Sequence, residues 1–267
     1  MKTILFSLTI FLLAVPGTTF AYEPMIYENG WKAMSKEAIS ERMQEPVINI
    51  NSGEPFNFKV INKGEEEVAR VNTPNEYYQQ MHAGNELYIY TTYDIIDEGL
   101  FRGVAMSLLY LSKAKSSKHS YVRSFPFDKE DPLKVLPASF VSYHGSDQHE
   151  IYDKAVNENR SWRYIAPSSR ILEMDSDNLE IYSTFAEDMY NSPEEERYNG
   201  NMPSHCISPD VLGDLNGDGY EDIVLNCAFY YVEGSGRYYY FSVLTRKSPD
   251  SVLEDITDQV NEIVWKE

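Results

Sequence analysis

Apolar residues alternate with other types most clearly near the end of the chain. Ile223, Leu225, Cys227, Phe229 and Tyr231 fall on one side of an expected strand, and Tyr239, Phe241 and Val243 on one side of a return strand, with a Gly-rich turn at 233–237 between them. The same pattern predicts strands over 47–50, 56–61, 86–95, 103–111, 140–143 and 162–165. A hairpin is expected from 170–174 to 179–185 through an acidic turn at 175–178. Helices are expected over 36–43, over 150–156, once within 252–265, and from Thr73 to about residue 83. In the last of these Thr73 is the cap, Pro74 opens the first turn, Glu76 completes a capping box and Gly84 ends it. The polar stretches 22–44 and 186–204 read as wrapping chain and as a long surface loop. Together these elements predict a β-rich α+β fold of antiparallel sheets with a few short helices.

Immediately before the late hairpin stands Gly213-Asp214-Leu215-Asn216-Gly217-Asp218-Gly219-Tyr220-Glu221-Asp222. Asp214, Asn216, Asp218 and Asp222 occupy positions one, three, five and nine of a loop, with Gly219 at six. Alternate residues in a tight turn direct three oxygen-bearing side chains inward, the glycine permits the bend, and the carbonyl of Tyr220 adds a further oxygen. Three carboxylates and one amide suit a hard cation that takes six to eight oxygens, so Ca2+ is the expected ion. Asp, Asn and Gly also favour turns that bind nothing, and that is the bland alternative.

The pattern resembles the calcium loops of FG-GAP and VCBS-type repeats, in which an Asp-x-Asx-x-Asp-Gly-x-x-Asp loop runs into an apolar strand. That resemblance, confined to about residues 213–246, implies side-chain ligands at Asp214, Asn216, Asp218 and Asp222 and a carbonyl ligand at Tyr220. An EF-hand would instead carry Glu at position twelve, where Leu225 stands, and would continue into a helix. No second Asp-rich copy occurs, so a full propeller is not supported.

The two cysteines of the chain, Cys206 and Cys227, flank this loop. A disulfide between them is expected if the chain is exported; its chain-entropy contribution would be roughly 3 kcal/mol. Two buried free thiols are the alternative. Export is the expectation from residues 1–21, where Lys2 precedes an apolar run and Thr19-Phe20-Ala21 offers a cleavage site; an N-terminal anchor is the alternative. The remaining 22–267 then form one β-rich domain, with a possible division near 186–204 that sets 205–267 apart as a calcium-loop hairpin unit. The expected location is secreted or periplasmic, with no membrane span after cleavage.

With 42 Asp and Glu against 23 Lys and Arg, a net charge of −19 argues against nucleic acids and anionic membranes as partners, since both require a positive face. Residues 101–137 form the one basic segment, read either as a docking patch for an acidic partner or as a solvated edge. His144 and His149, with acids nearby, have no common metal-pair spacing and read as a polar loop opening a helix. Nucleophile elbows, zinc-binding His pairs and phosphate loops are missing, so no catalytic residue and no organic cofactor is assigned. The leading expectation is a non-enzymatic, calcium-stabilised module that binds a protein or glycan partner. The alternative is an exported glycan-directed hydrolase with structural calcium, recognisable by two convergent carboxyls in one pocket.

Overall fold

The computed structural model describes residues 21–89, 91–125, 127, 130–141, 149–175, 178–182, 203–231 and 237–266. The chain opens with a hairpin of β1 (Met25–Tyr27) and β2 (Trp31–Ala33), turned at Asn29 and Gly30, whose φ angles are 53° and 122°. Helix α1 (Lys36–Gln44) follows, capped by Ser35. Strands β3 (Phe58–Ile61) and β4 (Glu67–Val71) pair antiparallel, and helix α2 (Pro74–His82) starts on the expected Thr73–Glu76 capping box. After β5 (Glu86–Leu87) comes α3 (Thr92–Lys113), a 22-residue helix opened by a second capping box, Thr91 with Asp94.

Short helices α4 (Pro132–Val135), α5 (His149–Asn157) and α6 (Trp162–Ile165) form an irregular layer, with a 3₁₀ turn over Ala138–Phe140. The strands β6 (Arg170–Met174), β7 (Leu179–Tyr182), β8 (Pro203–Gly213), β9 (Asp222–Tyr231), β10 (Arg237–Thr245) and β11 (Glu254–Asp255) and the helix α7 (Thr257–Val264) complete the chain.

The eight-stranded sheet runs β11-β10-β9-β8-β1-β2, with β7 also on β8 and β6 on β7. One edge of β8 is used twice: Ser204 to Ile207 pair with β7, and Val211 and Leu212 with β1. A separate three-stranded sheet has the order β4-β3-β5. Helix and strand each make up 32% of the structure and all the described pairings of both sheets are antiparallel, which makes this a mixed α+β fold with no closed or propeller sheet among the described residues.

Both faces of the large sheet are covered. On one, Val211, Val224 and Val243 pack under α1, α2, α3, α7 and the small sheet, around Phe101, Leu108 and Tyr110. On the other, Leu212, Ile223, Leu225, Cys227 and Leu244 meet Trp162, Phe127, Leu133 and Leu136. The anticipated alternation of Ile223, Leu225 and Cys227 on one strand and of Phe241 and Val243 on the other is present, and the structure puts the two sets on opposite faces of the sheet.

Several sequence expectations are corrected. Of the strand expected at 86–95 only Glu86–Leu87 is strand among the described residues, and Thr92 onward is helix α3, which takes in the whole of 103–111. Its buried Phe101, Ala105, Leu108 and Leu109 recur with helical spacing, which a nearly continuous apolar run conceals. Residues 162–165 are helical because the Trp162 ring is fully buried and its indole donates to Ser169 Oγ at 2.9 Å, fixing a tight turn. Residues 47–50 make one isolated bridge, Ile48 to Pro55, and no strand.

The expected disulfide is also absent. Register places Cys206 opposite Ala228 and Cys227 opposite Ile207. Successive strand residues alternate in direction, so the two sulfurs point to opposite faces of the sheet, and both thiols are free of a disulfide. Cys227 lies in the second core, where burial pushes its thiol pKa up. Residues 1–20 of the expected signal segment 1–21, residues 144–148 of the histidine loop 144–150 and residues 186–202 of the expected 186–204 loop lie outside the described residues.

Candidate metal loop

The loop closes the β8–β9 hairpin: Gly213 is the last residue of β8, opposite Asp222, the first of β9. Its turn depends on Gly217 and Gly219, whose φ angles of 82° and 88° lie in the left-handed region. The oxygen-bearing side chains organise the backbone between them. Asp214 accepts from Gly217 N at 2.6 Å and from Gly219 N at 2.9 Å. Asn216 Oδ1 accepts from Asp218 N at 2.9 Å, and Asp218 Oδ1 from Tyr220 N at 2.9 Å. Asp222 reaches back across the loop to accept from Leu215 N at 2.8 Å.

The second oxygen of Asp222 has no such use. Asp222 is fully buried, and its Oδ1 has no hydrogen-bond partner. Its cross-strand neighbour Thr245 eases the charge without reaching hydrogen-bond geometry, and the Thr245 hydroxyl is itself unpartnered. Burial pushes the Asp222 carboxyl pKa up to about 7, and the charges of Asp218 and Asp214 push the same way. An isolated buried carboxylate is costly, and a cation removes that cost.

Structure brings Asp214, Asn216, Asp218 and Asp222 into one loop, yet among the described residues no three Asp, Glu, His or Cys side chains gather into a metal-holding group. The arrangement explains this. Oxygens of Asp214 and Asp218 turn to backbone N–H groups, and Lys247 Nζ stands 3.9 Å from Asp218 Oδ2. The donor set nevertheless fits a hard cation: oxygen side chains at positions one, three, five and nine, the last with a free, buried oxygen.

Part of the basic segment, residues 115–123, forms the outer wall of this loop. Lys115 and Asp214 exchange backbone hydrogen bonds at 2.9 Å, and Lys118 N donates to Gly219 O at 2.8 Å. The His119 and Tyr220 rings lie 5.2 Å apart. Glu221, at position eight, points away from the ligand positions but is fully buried. Arg123 grips both its oxygens, at 2.5 and 2.8 Å, and Ser120 donates at 2.5 Å. The same guanidinium lies 4.8 Å from the Tyr22 ring centre and donates to Glu23 O at 3.2 Å, so it joins the loop to the start of the described chain. Loop position alone gave no signal for this clamp.

A second feature that sequence reading missed is a cleft of about 410 Å³ between α3 and the sheet. At its floor β8 carries a bulge: Pro209 pairs with Leu225 and Val211 with Val224, leaving Asp210 as the extra residue. A proline-acid pair inside a strand is the sequence signal that marks it. Comparison with family models, with curated proteins and with solved structures finds no match.

Proposed function

We propose that this chain is an exported calcium-binding protein in which the ion ties the β8–β9 loop to the sheet, and that it serves as a non-enzymatic binding or interaction module. The observation that carries the calcium reading is the unpartnered, buried Oδ1 of Asp222 behind a loop with oxygen side chains at positions one, three and five. Asp214, Asn216, Asp218, Asp222 and the Tyr220 carbonyl would hold the ion. When bound, it would supply positive charge that offsets the carboxylates of Asp214, Asp218 and Asp222, whose charges act on one another. Asp214 and Gly219 fix the turn, Asp222 anchors Leu215, and Gly217 and Gly219 supply the left-handed backbone that the turn needs.

The alternative, a glycan-directed hydrolase, asks for two convergent carboxyls. Glu28 and Asp210 do line one cleft, but Glu28 is committed to Arg42 and, at 3.6 Å, to Lys32. Burial works against its charge, yet the hydrogen bond and charge of Arg42, helped by Lys32, hold its pKa below the ordinary carboxylate range. That leaves the cleft with a single carboxyl that has no cation beside it, which favours binding over glycoside chemistry.

The test is thermal unfolding with calcium and with chelator. At a calcium concentration of 100 times the dissociation constant the expected gain is about 2.7 kcal/mol. Asp218→Ala should lose most of it, while Asp250→Ala, an exposed acid outside the loop, should keep it. Identical wild-type melts in both conditions would leave the loop as a turn neutralised by lysines and sink the calcium reading.

A further inference from the structure

The cleft under α3 is built around a carboxyl that lacks a counter-charge. Asp210 is placed there by the bulge after Pro209, so that its side chain leaves the regular alternation of β8 and faces the helix. Its Oδ2 lies 2.6 Å from Ser107 Oγ, and Ser107 Oγ lies 2.6 Å from the Gly103 carbonyl. A hydroxyl has one proton, so Ser107 can satisfy only one of these two acceptors at a time. An ionised Asp210 therefore competes with a backbone carbonyl for the single hydroxyl that faces it. Among the described residues no cation contributes to its environment: burial raises its pKa and Ser107 alone opposes the rise.

The rest of the cleft defines what fits beside that carboxyl. Ile96, Leu100 and Val104 form an apolar wall on α3, exposed by 37%, 41% and 37%. Asn226 and Ser208 add hydrogen-bonding groups to the floor, and Tyr239 adds an aromatic one. Gly99 lets α3 come close, since a Cβ there would lie 3.2 Å from the Tyr239 ring; one on Gly103 would make an ordinary contact, 3.6 Å from the Asn226 amide. A cleft of about 410 Å³ with apolar walls and a few convergent polar groups is in the size range of small-molecule sites.

We propose that this cleft binds a small organic ammonium, its charged head on Asp210 and its apolar tail along Ile96, Leu100 and Val104. The ammonium supplies the charge that Asp210 lacks and adds N–H donors, freeing Ser107 for the Gly103 carbonyl. The net charge of −19 enriches such cations near the protein. This gives the binding reading a ligand class, but it does not depend on calcium at the loop.

Isothermal titration of the full chain with phenethylammonium tests it, with 2-phenylethanol as the neutral probe and phenylacetate as the anionic one, each in calcium and in chelator. The ammonium should bind at least tenfold more tightly than the alcohol, phenylacetate should not bind, and Asp210→Asn should erase the preference. Binding should also release protons near neutral pH, read as different apparent heats in two buffers of unlike ionisation enthalpy. Glu28, Arg42, Cys206, Tyr27 and Tyr239 are the other titratable groups lining the cleft, and loss of the release in Asp210→Asn assigns it to Asp210. Should that variant not fold, Val104→Trp on the exposed wall must weaken the ammonium. Equal affinity for ammonium and alcohol, no binding of either, a preference that survives Asp210→Asn, or unchanged binding in Val104→Trp would overturn the proposal. Because each arm is also run in chelator, a loop that ignores calcium leaves these results readable.

Discussion

Glu221 shows how little loop position says about a single residue. At position eight it points away from an ion, and on that ground its removal should cost little. Structure makes it a fully buried carboxylate held by Arg123 and Ser120. Taking one partner from a buried pair leaves the other charge uncompensated; because Arg123 remains 34% exposed, the loss for Glu221→Gln should be on the order of 3 kcal/mol, the low end for such pairs. Urea unfolding of Glu221→Gln, Arg123→Gln and the double variant measures this, and a loss under about 0.5 kcal/mol for the single variants would show the clamp to be idle. Asp210 makes a prediction of opposite kind. Its pKa is raised from 3.8 to about 7, chiefly by burial. The folded state then holds the proton more tightly than the unfolded state. The resulting stability is full below about pH 4 and is lost as pH rises through about 7. Asp222 titrates with the same sign in chelator, so the share of Asp210 is read from the difference between wild type and Asp210→Asn. The stability drop between pH 5 and pH 8 should be smaller in the variant by about 1–2 kcal/mol, a discounted part of the 1.36 kcal/mol per unit that a full shift carries. Equal drops would mean that the cleft does not hold the Asp210 proton.

At the scale of elements, what was legible was what local chemistry decides. Thr73, Pro74 and Glu76 write the start of α2 into three residues, and the left-handed Gly84, at φ 76°, follows its end. The β9–β10 alternation was legible because its two faces meet different cores. Helix α3 was not. Its residues are apolar on so many sides that a period of two fits nearly as well as 3.6, and the decisive signal is the Thr91–Asp94 capping box at its start. Strand β8 was hidden for another reason. Ser204, His205, Ser208, Pro209 and Asp210 give it the composition of a loop, and it is a strand because β7, β1 and β9 pair with it along both edges. The β1–β2 hairpin did carry a signal, Asn29-Gly30, two residue types that readily take the positive φ angles found there, within a three-residue connection at 28–30. As for the site, spacing was enough to place Asp214, Asn216, Asp218 and Asp222 in one loop, but it could not show that Cys206 and Cys227 stay unbridged. Pairing depends on the parity of the β8–β9 register, and that is fixed by the bulge at Asp210 and the loop closure rather than by the separation of the cysteines in sequence.

For the molecule as a whole, the loop is a junction rather than an appendage. It joins β8 to β9, its edge is hydrogen-bonded to the segment that leaves α3, and Arg123 ties it to Tyr22 and Glu23. Gly213 marks how tightly these parts meet, since a Cβ there would lie 2.7 Å from that of Ala114, at the end of α3. Loss of a cation should therefore spread along this path and not through the fold at large. With chelator, three carboxylates repel across the loop, and the backbone bonds from Lys115 to Asp214, Lys118 to Gly219 and Glu221 to His119 should open more often. Among the described residues the small β3–β4–β5 sheet makes no strand pairing with the large one, and it should not respond. Hydrogen exchange followed by mass spectrometry resolves the two regions. The expected result is faster exchange over about residues 114–122 and 213–224 in chelator, by tenfold or more if the ion contributes at least 1.4 kcal/mol there, with β3 to β5 unchanged. Acceleration that is uniform along the chain would place the effect of the ion on global unfolding, and no acceleration at all would remove calcium from the account of this loop.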